Sequence, residues 1–307
     1  MEKVIVVIGP TSVGKTKMGV ALAKKFNGEV ISGDSMQIYK QMDIGTAKVT
    51  EEEKEGIIHH CVDILNPDET YSVHDFQQTV RKKITEITQR GHVPIIVGGT
   101  GLYIKAALYD YQFDEMENDH HAINEKYKDY TNEQLHDHLK SIDEESAKIL
   151  HFNNRRRVLR AIEIYETTGK RKSEMLEEQE HICLYDAYFV GLTLPRDVLY
   201  ERINKRVDVM MENGLKEEME RLYSQGLTRN HQSMKAIGYK EWFDYYDHQI
   251  DLNDVLELIK KHSRQYAKRQ YTWFKNQFDV HWYDVNLKNF EQTIEQVTDD
   301  IEKILKV

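Results

Sequence analysis

Cysteine is scarce. The 307 residues hold two, Cys61 and Cys183, and neither sits in a metal-binding or redox spacing. Both read as ordinary, partly buried thiols in a reducing cytosol. Proline is scarcer than average, at four residues, which argues against disordered linkers. No run of eighteen apolar residues exists, so nothing reads as a membrane span. The first strand candidate begins within three residues of Met1 and leaves no room for a signal peptide. A cytoplasmic protein is the expectation. His59, His60, Cys61 and Asp63 are metal-ligand types, but nothing completes a ligand set at a suitable spacing, so a structural role is expected.

What is present describes a globular chain. Apolar residues make up 40% and charged residues 31%, enough for a large core in one domain or one domain plus an insertion. The net charge of −10 argues at first against a polyanionic partner, but its distribution does not. Between positions 110 and 147 there are twelve acids and three bases. Between 153 and 172 there are seven bases and two acids, and between 260 and 275 six bases and no acid. The local field, not the total, decides where a polyanion docks.

Val- and Ile-rich segments predict strands at 4–8, 29–32 and 93–97, with weaker candidates at 187–194 and 281–283. Helical periodicity fills 15–26, 73–90, 154–168, 197–211, 215–223, 252–277 and 290–305. Shorter helices are expected at 132–139 and 144–150, and 208–262 reads as helical throughout. Strands alternating with helices predict an α/β fold: a parallel sheet covered by helices on both faces. One or both of the strand-poor stretches should form a helical lobe beside it. The expected division is 1–110 for the first part of the core, 111–180 for an acidic-then-basic helical insertion, and 181–307 for the rest. Within the last part, 208–275 would be an RNA-facing helical region.

The octapeptide Gly9-Pro10-Thr11-Ser12-Val13-Gly14-Lys15-Thr16 is the most informative stretch. Its G-x4-G-K-T spacing, after a strand and before a helix, is that of a phosphate-binding P-loop. Gly9 and Gly14 permit backbone angles denied to other residues. The loop amides can then face a phosphate at a helix N-terminus. Lys15 adds a mobile cation, and the Thr16 hydroxyl suits a magnesium ion. A ligand-free glycine turn is the alternative. The motif binds a polyphosphate without saying which, nucleotides included.

Ligands of parallel sheets lie beyond the carboxyl ends of the strands. There the second strand ends in Gly33-Asp34-Ser35 and the third in Gly98-Gly99-Thr100-Gly101. Asp34 is the best candidate acid/base, with capping of the next segment, or reaching the metal through water, as the alternative. Arg202 and Arg206 share a helical face and could clamp a departing phosphate; a solvated face is equally open. Arg155, Arg156, Arg157 and Arg160 repel one another unless a polyphosphate or RNA backbone lies opposite, or Glu163 and Glu166 pair with them. Between 263 and 274, bases alternate with aromatics, a mixture suited to RNA. Arg264 and Lys268 align, as do Tyr266, Gln270 and Trp273. Trp273 and Phe274 are expected to be core, and Arg264, Lys268 and Arg269 to face the partner.

Together these residues resemble the bacterial tRNA dimethylallyltransferase (isopentenyl-tRNA transferase) family. The resemblance runs along nearly the whole chain: GPTSVGKT at 9–16, DSMQIYKQMDIGTAK at 34–48, HHCVDI at 59–64, YSVHDF at 71–76 and IIVGGTGLYIKA at 95–106. It continues in NNRRRVLRAIEIYETTGK at 153–170, KAIGYKE at 235–241 and RQYAKRQYTWF at 264–274. A P-loop alone is unspecific, whereas this ordered set is highly specific.

The resemblance implies a P-loop NTPase-like fold that transfers a dimethylallyl group from dimethylallyl diphosphate. The acceptor would be the exocyclic amine of the adenosine just 3′ of the anticodon, in tRNAs reading codons that begin with U. It implies Asp34 as general base, Thr16 as a ligand of Mg2+, Lys15 and Arg206 on the diphosphate, and Thr100 beside the reacting base. Gly9, Thr11, Ser12, Val13, Gly14 and Arg202 would complete the diphosphate site. The tRNA anticodon stem-loop would meet Asp34, Ser35, Met36 and Gln37, then Asn153, Asn154 and the arginines that follow. Lys235, Gly238, Tyr239 and Lys240 would contact it too, with Arg264, Lys268 and Arg269. A monomer is expected.

The residue chemistry agrees with that scheme. Adenine's exocyclic amine is a poor nucleophile, and Asp34 could remove its proton as it attacks. The leaving diphosphate needs donors already in place. The adenine must leave its stack. Downstream of the P-loop, no run of four apolar residues ends in Asp, the usual second magnesium motif of nucleotide kinases. Three rivals stand beside this reading: a small-molecule or nucleotide kinase, a prenyltransferase of free adenine nucleotides, and a non-enzymatic RNA-binding switch.

Overall fold

Alternate residues of the first strand point to opposite sides of a sheet, and that alternation builds both halves of the core. In this strand, β1 (Lys3–Ile8), Val4, Val6 and Ile8 join one apolar cluster while Ile5 and Val7 join another. All five are fully buried, each burial contributing about 1.5–3 kcal/mol. The structure is a computed structural model and describes residues 1–111, 120–177 and 181–305.

Five more strands follow: β2 (Gly28–Ser32), β3 (His59–His60), β4 (Val93–Gly98), β5 (Asp186–Thr193) and β6 (His281–Asp284). The sheet order is β3-β2-β4-β1-β5-β6, and every neighbouring pair is parallel. It is the expected α/β, P-loop NTPase-like sheet. The helix Val73–Gln89 brings Phe76, Val80, Ile84 and Ile87 to one cluster. The helices Lys15–Lys25, Arg196–Glu212 and Phe290–Leu305 bring Met18, Leu22, Leu199, Ile203, Val297 and Ile301 to the other. Local signals fix the helix starts. Ser72 and Asp75 form a reciprocal capping box at one, and Asp251 and Asp254 form another at the helix Leu252–Gln277.

The sequence shows no strand at β3, because two residues are too short for a period of two to register. Its pairing with Val30 and Ile31 makes it an edge strand. The histidines are structural there: His60 Nε2 meets Glu29 at 2.6 Å, and His59 Nδ1 donates to the Ile57 carbonyl at 2.9 Å. Among the described residues no group of His, Cys, Asp and Glu could hold a metal ion. The expectation of helix throughout 208–262 is corrected. Between the helices Leu215–Ser224 and Leu252–Gln277 lie only a 3-10 turn, Ser233–Lys235, and a five-residue helix, Trp242–Tyr246. The 225–232 loop carries Gly226 at φ 87°, and that glycine ends the preceding helical run.

The chain divides into two compact units. The first comprises Met1–Tyr109 and Cys183–Val307 and contains the whole sheet. The second, Asp110–Ile182, is helical and has its own small core, including Leu135, Leu139, Val158 and Ile162. Of the acidic stretch read there, 112–119 lies outside the described residues. No helix is long and apolar enough to cross a membrane among those described.

Candidate active site

The P-loop turns sharply between β1 and the helix Lys15–Lys25. Gly9 has φ 146°, Ser12 has φ 65° and Gly14 has φ 110°. A Cβ on Gly9 would stand 2.6 Å from the Leu192 carbonyl of β5, so only glycine fits at the end of β1 beside that strand. Lys15 Nζ donates to the Pro10 carbonyl at 2.8 Å, and Arg202 Nε donates to the Ser12 carbonyl at 3.0 Å. The Ser12 hydroxyl is buried and without a hydrogen-bond partner.

Two cavities meet at this loop, both within the first unit. The larger is about 560 Å3 and is lined by Lys15, Thr16, Arg202, Lys205 and Arg206 on one side. Val30, Val49, Val97 and Val209 give it an apolar wall. The smaller is about 340 Å3. It is lined by Met36, Met210 and Ile237, with Lys235, Lys240 and Arg269 as its cations. Thr11, Ser12, Asp34, Thr46, Ala47 and Arg206 line both. The shared wall thus carries one carboxylate and one guanidinium.

Asp34 ends a turn in which its Oδ1 accepts the Met36 N–H at 2.9 Å. Burial pushes its carboxyl above the usual carboxylate range, against the opposing pull of that N–H and of Lys15. Burial, reinforced by Arg206, lowers Lys15 to about 8, with Asp34 acting the other way. Burial also lowers Arg206. Burial dominates at all three, and Asp34 opposes it at both Lys15 and Arg206. The arrangement can hold an anion beside a base.

The other sequence candidates divide. Thr100 lines neither cavity; its Oγ1 accepts the Ser35 N–H at 3.1 Å and braces the turn that carries Asp34. The Gln37 amide is engaged internally, accepting from Ser32 Oγ at 3.1 Å and donating to the Ala47 carbonyl at 3.2 Å. The Thr11 main-chain N–H, expected among the phosphate donors, is taken by Gln270 Oε1 at 2.9 Å. Val13 is fully buried and offers only its main chain. Tyr239 is fully buried as well, so its ring is a support and not a contact surface. Gly238 gives its N–H to Glu241 at 2.9 Å.

Arg264 is half-buried and donates to Asn204 at 2.5 Å. Lys268 and Arg269 are exposed, Phe274 is fully buried and Trp273 half-buried. In the second unit Arg155 is spent on structure, donating to the carbonyls of Tyr127 and Tyr130 at 2.7 Å each. Arg160 pairs with Glu163 at 2.8 Å. Asn153, Arg156 and Arg157 are exposed, and Asn154 begins their helix, Arg155–Thr168.

Thr46, Ala47 and Lys205 line the site without being singled out by the sequence. Lys205 could have been found from its place between Arg202 and Arg206. Nothing local marks the other two.

The IPP transferase family model matches residues 37–277. The chain belongs to this family. A curated tRNA dimethylallyltransferase of Bacillus cereus (strain AH187) is 55% identical over 287 residues, 92% of this chain and 90% of that protein. The solved tRNA delta(2)-isopentenylpyrophosphate transferase of Staphylococcus epidermidis is 47% identical with a TM-score of 0.74, covering 99% of each chain. A eukaryotic dimethylallyltransferase acting on tRNA is 33% identical with a TM-score of 0.86, covering 99% of this chain and 79% of that one. The family match spans both units, from the turn after Asp34 to the end of the helix Leu252–Gln277.

Proposed function

We propose that the protein transfers a dimethylallyl group from dimethylallyl diphosphate to tRNA. The acceptor is the exocyclic amine of the adenosine 3′ to the anticodon in tRNAs that read U-starting codons. The observation that carries this reading is the pair of cavities sharing Asp34 and Arg206.

The larger cavity suits the donor. Its cations and loop amides match a diphosphate, and its valines match a five-carbon tail. The Ser12 hydroxyl, unpartnered in a residue that lines the cavity, is a spare donor for such an anion. The smaller cavity suits a flipped base, with Lys235, Lys240 and Arg269 for the flanking phosphates. Arg156 and Arg157, exposed on the helix Arg155–Thr168, suit RNA phosphates in their own right.

Asp34 takes a proton from the attacking amine; its raised pKa strengthens it as a base. The amine nitrogen forms a bond to the isoprenoid's first carbon as the carbon–oxygen bond to the diphosphate breaks. Lys15, Arg206 and the loop receive the charge that develops on the departing oxygens. Thr16 lines the larger cavity and would offer Mg2+ one hydroxyl oxygen beside the diphosphate. When bound the ion supplies further charge neutralisation. The protein works as a soluble monomer of the cytoplasm.

Incubation with dimethylallyl diphosphate, Mg2+ and an unmodified anticodon stem-loop, followed by mass spectrometry of the nucleosides, tests the proposal. The expected product is one isoprenylated adenosine beside the anticodon. An unchanged mass, with label passing from ATP to another acceptor, would reject it in favour of a kinase.

A further inference from the structure

One buried amide spans the two sides of the site without facing either cavity. Gln270 lies on the helix Leu252–Gln277 and is 5% exposed. Its Oε1 accepts the Thr11 N–H at 2.9 Å, and its Nε2 donates to the Gly99 carbonyl at 3.0 Å. The first bond fixes the P-loop where it forms the wall common to both cavities. The second fixes the residue before Thr100, whose hydroxyl holds Ser35 beside Asp34.

The fit is close on both ends. A Cβ on Gly99 would stand 2.2 Å from Gln270 Nε2, so the amide fills the space that any other residue at 99 would need. Tyr266, one helical turn earlier, adds a second donor to the same carbonyl at 3.3 Å. Only a neutral side chain with both an acceptor and a donor satisfies this pair of main-chain groups. An apolar residue takes the acceptor from the part-buried Thr11 N–H and leaves the Gly99 carbonyl only the longer Tyr266 bond, and a carboxylate sets its charge against the Gly99 carbonyl.

We propose that Gln270 is a positioning residue, which sets the separation between the diphosphate loop and the Asp34–Ser35 turn that Thr100 braces. It does not touch either substrate. It holds the distance across which the leaving group and the base must act together, and misplacement of reacting groups by an ångström can cost about a hundredfold in rate. The proposal rests on the function given above and deepens it.

The test compares the parent protein with Gln270→Met and Gln270→Glu in dimethylallyl transfer to an anticodon stem-loop, across acid to alkaline pH. Rates are normalised to the fraction of each protein that binds inorganic diphosphate. Gln270→Met should lose about tenfold to a hundredfold in kcat, with KM for both substrates close to the parent's. Gln270→Glu should be impaired at alkaline pH. Its rate relative to the parent should recover as pH falls, because a protonated carboxyl accepts and donates as the amide does. The ratio for Gln270→Met should stay flat. A Met variant with the parent's kcat, a loss confined to KM, or a pH-independent ratio for the Glu variant would each overturn the assignment. The parent's own turnover in the same assay tests the function separately.

Discussion

Tyr239 donates its hydroxyl to Glu218 at 2.6 Å, and the same buried carboxylate accepts the main-chain N–H groups of Asp43, Ile44 and Gly45 at 2.8–3.0 Å. Four donors converge on one side chain that is 3% exposed. The turn it grips leads directly into Thr46 and Ala47, part of the wall shared by the two cavities. KAIGYKE and DIGTAK are thus tied together through Glu218, a residue in neither motif.

Glu218→Ala would leave the buried Tyr239 hydroxyl and three part-buried N–H groups without their acceptor. The expected loss is on the order of 3 kcal/mol of stability, together with weaker substrate binding as the 43–47 turn loosens. Chemical denaturation of the variant measures the first and a KM determination the second. A midpoint equal to the parent's would show that the turn is held by other means.

Asp34 and Lys15 bound the working pH from opposite sides. Asp34 is a base only when ionised, and burial raises its pKa. Activity should therefore fall with acid at a pH above the ordinary carboxylate range. Lys15 is a cation only when protonated, and its pKa is lowered to about 8. Its charge in the free protein fades as pH climbs through that value. The profile of kcat/KM for the donor should be a bell with its alkaline limb near 8. Arg206→Gln removes the repulsion on Lys15, so the alkaline limb should move upward while the maximum falls. An unmoved limb would mean that another group titrates there. Asp34→Asn should abolish the acid limb and cost about a hundredfold or more in turnover.

Neighbouring arginines on the helix Arg155–Thr168 should behave in opposite ways. Arg156 is exposed, and Arg156→Glu should weaken tRNA binding, reduce the salt slope by about one, and leave the melting temperature alone. Arg155 binds the Tyr127 and Tyr130 carbonyls, so Arg155→Ala should lower stability first. Binding isotherms at several salt concentrations, paired with thermal melts, separate the two effects. Equal salt slopes for parent and Arg156→Glu would remove Arg156 from the interface.

Much of this fold was legible because its signals are local. Val4–Ile8, the P-loop and the capping box at Ser72 each announce themselves within a few residues. The contacts that missed notice owe their place to long-range geometry. Gln270 reaches a partner 259 positions away, and Glu218 reaches one 173 positions away. β3 is named only by its pairing with β2. The arginine cluster was visible, but composition cannot say which guanidinium faces solvent. Arg155 and Arg264 turned inward because nearby carbonyl and amide oxygens could satisfy their donors.

The strand order also governs how the chain emerges from the ribosome. β1 is flanked by β4 and β5, yet β5 begins at Asp186, after the entire second unit has been made. At about 5–20 residues per second, the flank of β1 that β5 will cover stays bare for about ten to forty seconds. Nascent or truncated chains that stop short of β5 therefore carry an open, strongly apolar template for β-pairing, and they should be the species that chaperones retain.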